Sequence, residues 1–216
     1  MGVPDEPVLM TEIHEQALLP GTGVIKVVAT PRAGAASQAP QLSIRPEPPR
    51  LRPPHWWREG VEIITCRTRL VSRPELAGLK LLERSAQMQA RREWATDTVA
   101  EGLMLDPDGR LISGTMTNVY AVIGGAVCTP AITRCGVAGV LRAALLEAWQ
   151  DSAQSIFIRD LDPAELKGAS EIFLSNALIG VWPVRLLDGQ VFVPGPVARA
   201  AAAWVQRSVK EPQNLP

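Results

Sequence analysis

The chain has 216 residues, with 22 basic and 22 acidic side chains, a formal net charge of zero and 46% hydrophobic residues. That length can bury a good core in one large domain or two small ones, and the balanced charge offers nothing to draw it to nucleic acid or to a membrane surface. No apolar run approaches the roughly 20 residues of a membrane span, and the first residues, with Asp5 and Glu6, do not read as a basic-then-apolar leader.

Taken in order, Val24–Thr30 follows a Gly-Thr-Gly and reads as a buried strand. A loop rich in alanine, glycine and serine follows from Pro31 to Pro40, then a short strand at Leu42–Ile44. The proline-rich run Pro46–Pro54 reads as an extended loop, and Val61–Cys66 as a second strong strand. Arg67–Glu75 has the composition of a linker. The expected division is therefore a partial small N-terminal domain over 1–68, a linker over 69–78 and a C-terminal domain over 79–216.

From Leu76 to Trp94 apolar residues recur at Leu79, Leu82, Ala86, Ala90 and Trp94, the stripe of an amphipathic helix with Lys80 at its mouth. Asp106-Pro-Asp-Gly109 marks a hairpin turn between Gly102–Asp106 and Leu111–Ile112. Gly124-Gly125 marks another between Asn118–Ile123 and Ala126–Thr129. A helix follows Cys135–Gly139, with Val140, Leu141, Ala144, Leu145, Ala148 and Trp149 on its stripe. Asp162-Pro163-Ala164-Glu165 caps a short helix that stops near Gly168. Glu171–Ser175 and Val181–Leu187 read as strands, and Pro196 opens an alanine-rich helix to about Val209. Hairpins interleaved with single helices give an α+β fold.

Cys66, Cys128 and Cys135 lack a Cys-x-x-Cys pair and read as reduced cysteines of a cytoplasmic protein. His14 and His55 stand far apart, so neither a histidine triad nor a metal site is expected. Lys80 is one of only four lysines, and the other three lie in a strand, a polar helix end and the tail. At a glycine turn beside a buried stripe it would be partly desolvated, which favours the neutral, nucleophilic amine. From spacing alone the favoured reading is a lysine that snorkels from a helix start.

The stretch LAGLKLLERSAQMQARREW, residues 76–94, resembles the lysine segment of the class IV aminotransferase superfamily, and its aminodeoxychorismate lyase branch in particular. In that family the matching lysine carries pyridoxal 5′-phosphate. Three further stretches are similar to the same family: GRLISGTMTNVYAV (109–122), TRCGVAGVLRAALLE (133–147) and EIFLSNALIGVWPV (171–184). The likeness covers roughly residues 60–205. It implies that Ser113 stands where an acidic residue usually pairs with the pyridine nitrogen, five positions before Asn118, which itself orients the turn. A serine hydroxyl can share a hydrogen bond there but cannot hold the nitrogen protonated as a carboxylate does. By its residues alone Ser113 is equally an ordinary strand-end serine. The amides of Val140 and Leu141, inside Gly139, match the phosphate-holding helix start. Ser175, Asn176 and Ala177 match a turn lining the active site, and without the likeness they read as a polar turn between strands.

The resemblance implies a class IV fold, with a truncated small α/β domain and a pseudo-barrel-like C-terminal α/β domain. The implied reaction converts 4-amino-4-deoxychorismate, a small-molecule substrate, to 4-aminobenzoate and pyruvate in folate biosynthesis, in a cytoplasmic homodimer. Lys80 would serve as the catalytic base. Alternatives are a branched-chain or D-amino acid aminotransferase, or a truncated non-catalytic homologue. Before Val24 the family's first strands and phosphate-gripping arginine have no counterpart, and in the loop after that strand only Arg32 and Gly34 match.

Overall fold

A computed structural model describes residues 6–31, 40–150 and 155–210. It falls into two compact units, residues 1–53 and 54–216. In the first, helix α1 (Glu6–Ala17) accompanies an antiparallel pair, β1 (Val24–Thr30) and β2 (Gln41–Glu47), with Val27 opposite Ile44. The expected strand at 42–44 is thus longer and takes in Pro46, opposite Ile25. Most of the expected loop from Pro31 to Pro40, with Arg32 and Gly34, lies outside the described residues.

The second unit is built on a nine-stranded mixed sheet. A short helix α2 (His55–Glu59) leads into β3 (Val61–Arg69), and β4 (Val99–Leu105) runs parallel to it. β5 (Leu111–Gly114) returns antiparallel through the expected turn, where the Asp106 carboxylate accepts from the Asp108 and Arg110 amides. β6 (Asn118–Ile123) and β7 (Ala126–Pro130) form the glycine-turned hairpin. Helix α4 (Val140–Ala148) crosses to β8 (Ile156–Arg159), an edge strand not visible in the sequence because its phenylalanine and second isoleucine face out.

The capping box at Asp162 and Glu165 forms, but the turn it opens, Pro163–Gly168, is a 3₁₀ helix. β9 (Glu171–Asn176), β10 (Gly180–Leu187), a two-residue β11 (Gln190–Val191) and helix α5 (Pro196–Lys210) complete the unit. The strand order is β5-β4-β3-β10-β9-β6-β7-β8, with β11 beside β10. The Leu111 amide donates to the Leu161 carbonyl just past β8, so the two ends of the sheet curl together. This is the α+β, half-barrel architecture the sequence implies.

Trp182 on β10 is fully buried at the middle, with Trp56 and Trp57 edge-on at 5.0 and 5.7 Å between ring centroids. Burying aromatic side chains of this size contributes heavily to core stability. On the other face α5 packs against β10 with Ala198 and Ala201 buried. Its first amides, those of Val197 and Ala198, donate to the buried Glu171 carboxylate of β9.

Two expectations differ in the structure. The continuous helix from Leu76 to Trp94 is not formed: α3 covers only Ser85–Ala90, and Lys80 lies in an irregular loop. Gly78, at φ +87°, turns the chain out of helical space, and its backbone is bonded to a distant segment. The chain divides at residues 53 and 54, whereas the composition placed a linker at 69–78. That linker runs inside the second unit, with the Leu70 amide on the Leu105 carbonyl. Composition registers the polar run but not the long-range pairing that holds it.

Candidate active site around Lys80

A one-turn 3₁₀ helix, Pro74–Leu76, brings the chain to Gly78. The Gly78 amide donates to the Gly136 carbonyl at 3.0 Å, and the Ala138 amide donates back to the Gly78 carbonyl at 3.0 Å. Lys80 therefore emerges two residues beyond a bridge to the run that starts α4. Its side chain is exposed overall, yet the atoms packed around the amine withdraw it from bulk water. That desolvation, and next the positive charge of Arg84, hold the amine below the usual lysine range.

Gly139 is the N-cap of α4, and no side chain caps it. A helix start has backbone N–H groups without intrahelical partners, a natural seat for an anion. A Cβ at Gly139 would lie 2.2 Å from Asn118 Oδ1, so only glycine lets Asn118 approach. Asn118 Nδ2 in turn donates to the Val137 carbonyl at 2.9 Å. The structure thus brings Lys80's loop, Asn118 and the amide end at Val140 and Leu141 into one constellation.

Ser175 lies opposite Asn118 across β9 and β6, its hydroxyl 3.1 Å from that of Tyr120. Asn176 gives one amide hydrogen to the Met116 carbonyl at 3.1 Å, while its Oδ1 accepts from the Leu178 and Ile179 amides. It shapes the turn on which Ala177 is exposed. Ser113 is buried, and its hydroxyl donates to the carbonyl of its neighbour Gly114 at 2.9 Å. Among the described residues no hydrogen bond ties Ser113 to the other expected site residues.

The sequence reading missed Glu101. This fully buried carboxylate on β4 accepts from the amides of Gly102, Thr115 and Met116 and from the hydroxyls of Thr115 and Thr117. Arg91 stands 4.0 Å away. One acid therefore holds the whole 115–117 turn, whose Thr115 carbonyl accepts from Arg84 at 3.2 Å and whose Met116 carbonyl accepts from Asn176. The available signal was an acid inside an otherwise apolar strand, since Lys, Glu, Arg and Asp are almost never fully buried unless paired.

The three cysteines are buried and free. Burial pushes the thiols of Cys66 and Cys135 up to about 12 and about 11, which makes them poor nucleophiles. The described residues include no group of His, Cys, Asp and Glu fit for a metal ion, and none of their helices is long and apolar enough to cross a membrane. An open depression of about 410 Å³, lined by Arg67, Thr68, Gln89, Arg92 and Glu93, contains none of the expected site residues.

A family model described as amino-transferase class IV matches residues 3–187. Over 129 residues the chain is 36% identical to an aminodeoxychorismate lyase of Vibrio harveyi, covering 60% of this chain and 48% of that protein. It is 26% identical over 155 residues to a D-alanine aminotransferase of Bacillus licheniformis, covering 70% and 53%. The chain thus spans about half the length of the curated relatives it matches. The crystal structure of 4-amino-4-deoxychorismate lyase from Pseudomonas aeruginosa superposes with a TM-score of 0.87 at 38% identity, over 96% of this chain and 79% of that one.

Proposed function

The chain belongs to the class IV amino-transferase family, and on that premise we propose that it is a pyridoxal 5′-phosphate-dependent lyase cleaving 4-amino-4-deoxychorismate to 4-aminobenzoate and pyruvate. The likeness in sequence and structure to aminodeoxychorismate lyases supports this reading over an aminotransferase. The observation that carries it is the bridge between Gly78 and Val137, which sets Lys80 beside an uncapped helix start. A lysine with a lowered amine and an anion seat, with Asn118 pressed against its glycine, fit the aldehyde and the phosphate of that cofactor.

In this reading Lys80 holds the cofactor, and the amides of Val140 and Leu141 hold its phosphate. The bound cofactor supplies an electron sink next to the substrate's amine. Released when the substrate's amine takes its place, Lys80 Nζ, its proton affinity lowered by desolvation and by Arg84, would accept the ring proton. The carbon–oxygen bond to the enolpyruvyl group would break with its electron pair going to oxygen, the ring would become aromatic, and the leaving enolpyruvate would take up the proton held by Lys80 to become pyruvate. Ser113 would have to turn its hydroxyl away from the Gly114 carbonyl to share a hydrogen bond with the pyridine nitrogen, a weaker support than a carboxylate that aromatisation makes tolerable. Ser175, Asn176 and Ala177 shape the wall against which the substrate lies.

Exposed Leu79, Leu82, Met88 and Val140 near this site support a homodimer that covers them. Three buried free thiols suit a reducing cytoplasm. Borohydride reduction of the cofactor-loaded protein, followed by peptide mapping, is expected to fix the label on Lys80, with 4-aminobenzoate and pyruvate released in equal amounts from substrate. A label on another lysine, or pyridoxamine phosphate accumulating with an amino donor, would overturn the reading.

A further inference from the structure

We propose that Arg84 is the residue that receives the ring carboxylate of the substrate, its guanidinium anchored beside the Lys80 loop by the Thr115 carbonyl. This rests on the lyase reading above. Arg84 stands at the N-cap of α3, at φ −139° and ψ 28°, off the helix proper. One of its N–H groups donates to Thr115 O at 3.2 Å. Thr115 is itself fixed, because both its amide and its hydroxyl donate to the buried Glu101. The guanidinium is thus tethered to the core through two links while its side chain stays exposed.

Three arginines of neighbouring segments are engaged elsewhere. Arg91 donates to the Ala100 carbonyl beside Glu101, Arg134 pairs with Asp160 and nears Asp106, and Arg142 is buried on the Pro130 carbonyl. Among the described residues no carboxylate lies within ion-pair distance of Arg84. A guanidinium has five donors in a planar fork, and one contact to a carbonyl leaves enough for a bidentate grip on a carboxylate. Its charge already reaches Lys80, since it is one of the two causes lowering that amine. A carboxylate seated there would neutralise this charge and so ease proton uptake at Lys80 Nζ when substrate is present. The anchor therefore couples substrate recognition to the base.

The test compares 4-aminobenzoate with neutral 4-aminobenzamide as probes of the cofactor-loaded full chain, by calorimetry. The native chain is expected to prefer the carboxylate by about tenfold, equivalent to about 1.4 kcal/mol. In Arg84→Gln the preference disappears, while Arg84→Lys retains part of it. In both variants the melting temperature stays within about 2 °C, as expected for an exposed side chain with a single hydrogen bond. A preference unchanged in Arg84→Gln, or none in the native chain, overturns the assignment. Borohydride labelling of Lys80 in the same samples separates the two readings. Absence of label in the native chain defeats the lyase reading and this one with it, whereas intact label with unchanged preference defeats the role of Arg84 alone.

Discussion

At position 139 the backbone passes so close to Asn118 that a single added carbon would sit 2.2 Å from its Oδ1. Alanine there must push Asn118 aside and break its bond to the Val137 carbonyl, which spoils the helix start proposed to hold the phosphate. Gly139→Ala is expected to weaken pyridoxal phosphate binding by about tenfold or more, equivalent to about 1.4 kcal/mol, read by fluorescence titration. Arg84 gives a second residue-scale outcome. Its positive charge disfavours protonated Lys80, so removing the charge must raise the amine's pKa. The pH profile for trapping cofactor on Lys80 in Arg84→Gln should shift to higher pH, and a profile that stays put or moves down would show that the charge does not reach the amine. In the proposed site Lys80, Asn118 and Gly139 stand out in the sequence through the likeness of their segments to the family. The partners that place them, Gly78 on Gly136 and Glu101 on Thr115, join segments that local patterns cannot connect.

Secondary elements follow the same division. The two hairpins and the helix after Gly139 were readable because glycine and aspartate turns fix their ends locally. The lysine segment was misread because its apolar spacing is helical, while the bonds of Gly78 reward a different backbone. Tertiary pairing outweighed a weak propensity there. Among the strands β4 carries the most exposed risk to stability, through Glu101. Glu101→Ala would remove the acceptor of the Gly102 and Met116 amides and of the Thr115 and Thr117 hydroxyls in a buried site, while the Thr115 amide would keep the Gly102 carbonyl. The expected loss is roughly 3–5 kcal/mol, by analogy with breaking a buried charged pair. For a chain of this size that amounts to a fall in melting temperature of roughly 10 °C, measurable by calorimetry. A fall under about 2 °C would mean that the 115–117 turn holds its shape without the acid.

For the molecule as a whole, strand order is what sequence left out. Class and strand content could be read, but that β3 lies between β4 and β10 could not, because β3 and its partner β10 pair residues more than a hundred positions apart, Val61 with Val184. The proposed homodimer belongs to this scale too: light scattering at micromolar concentration is expected to give twice the 23.3 kDa chain mass, and a monomer there would count against it. The position of β3 also bears on how the chain is made. Val61 pairs with Val184, and a ribosome adds about 5–20 residues per second. One edge of an apolar strand therefore waits on the order of ten seconds for its partner to be synthesised. During that interval β4 can dock on one side while Val61 and Ile63 still offer an open edge on the other. This chain meets its greatest danger of wrong pairing while it is still attached to the ribosome, and a chaperone that shields nascent strands would find its target at β3.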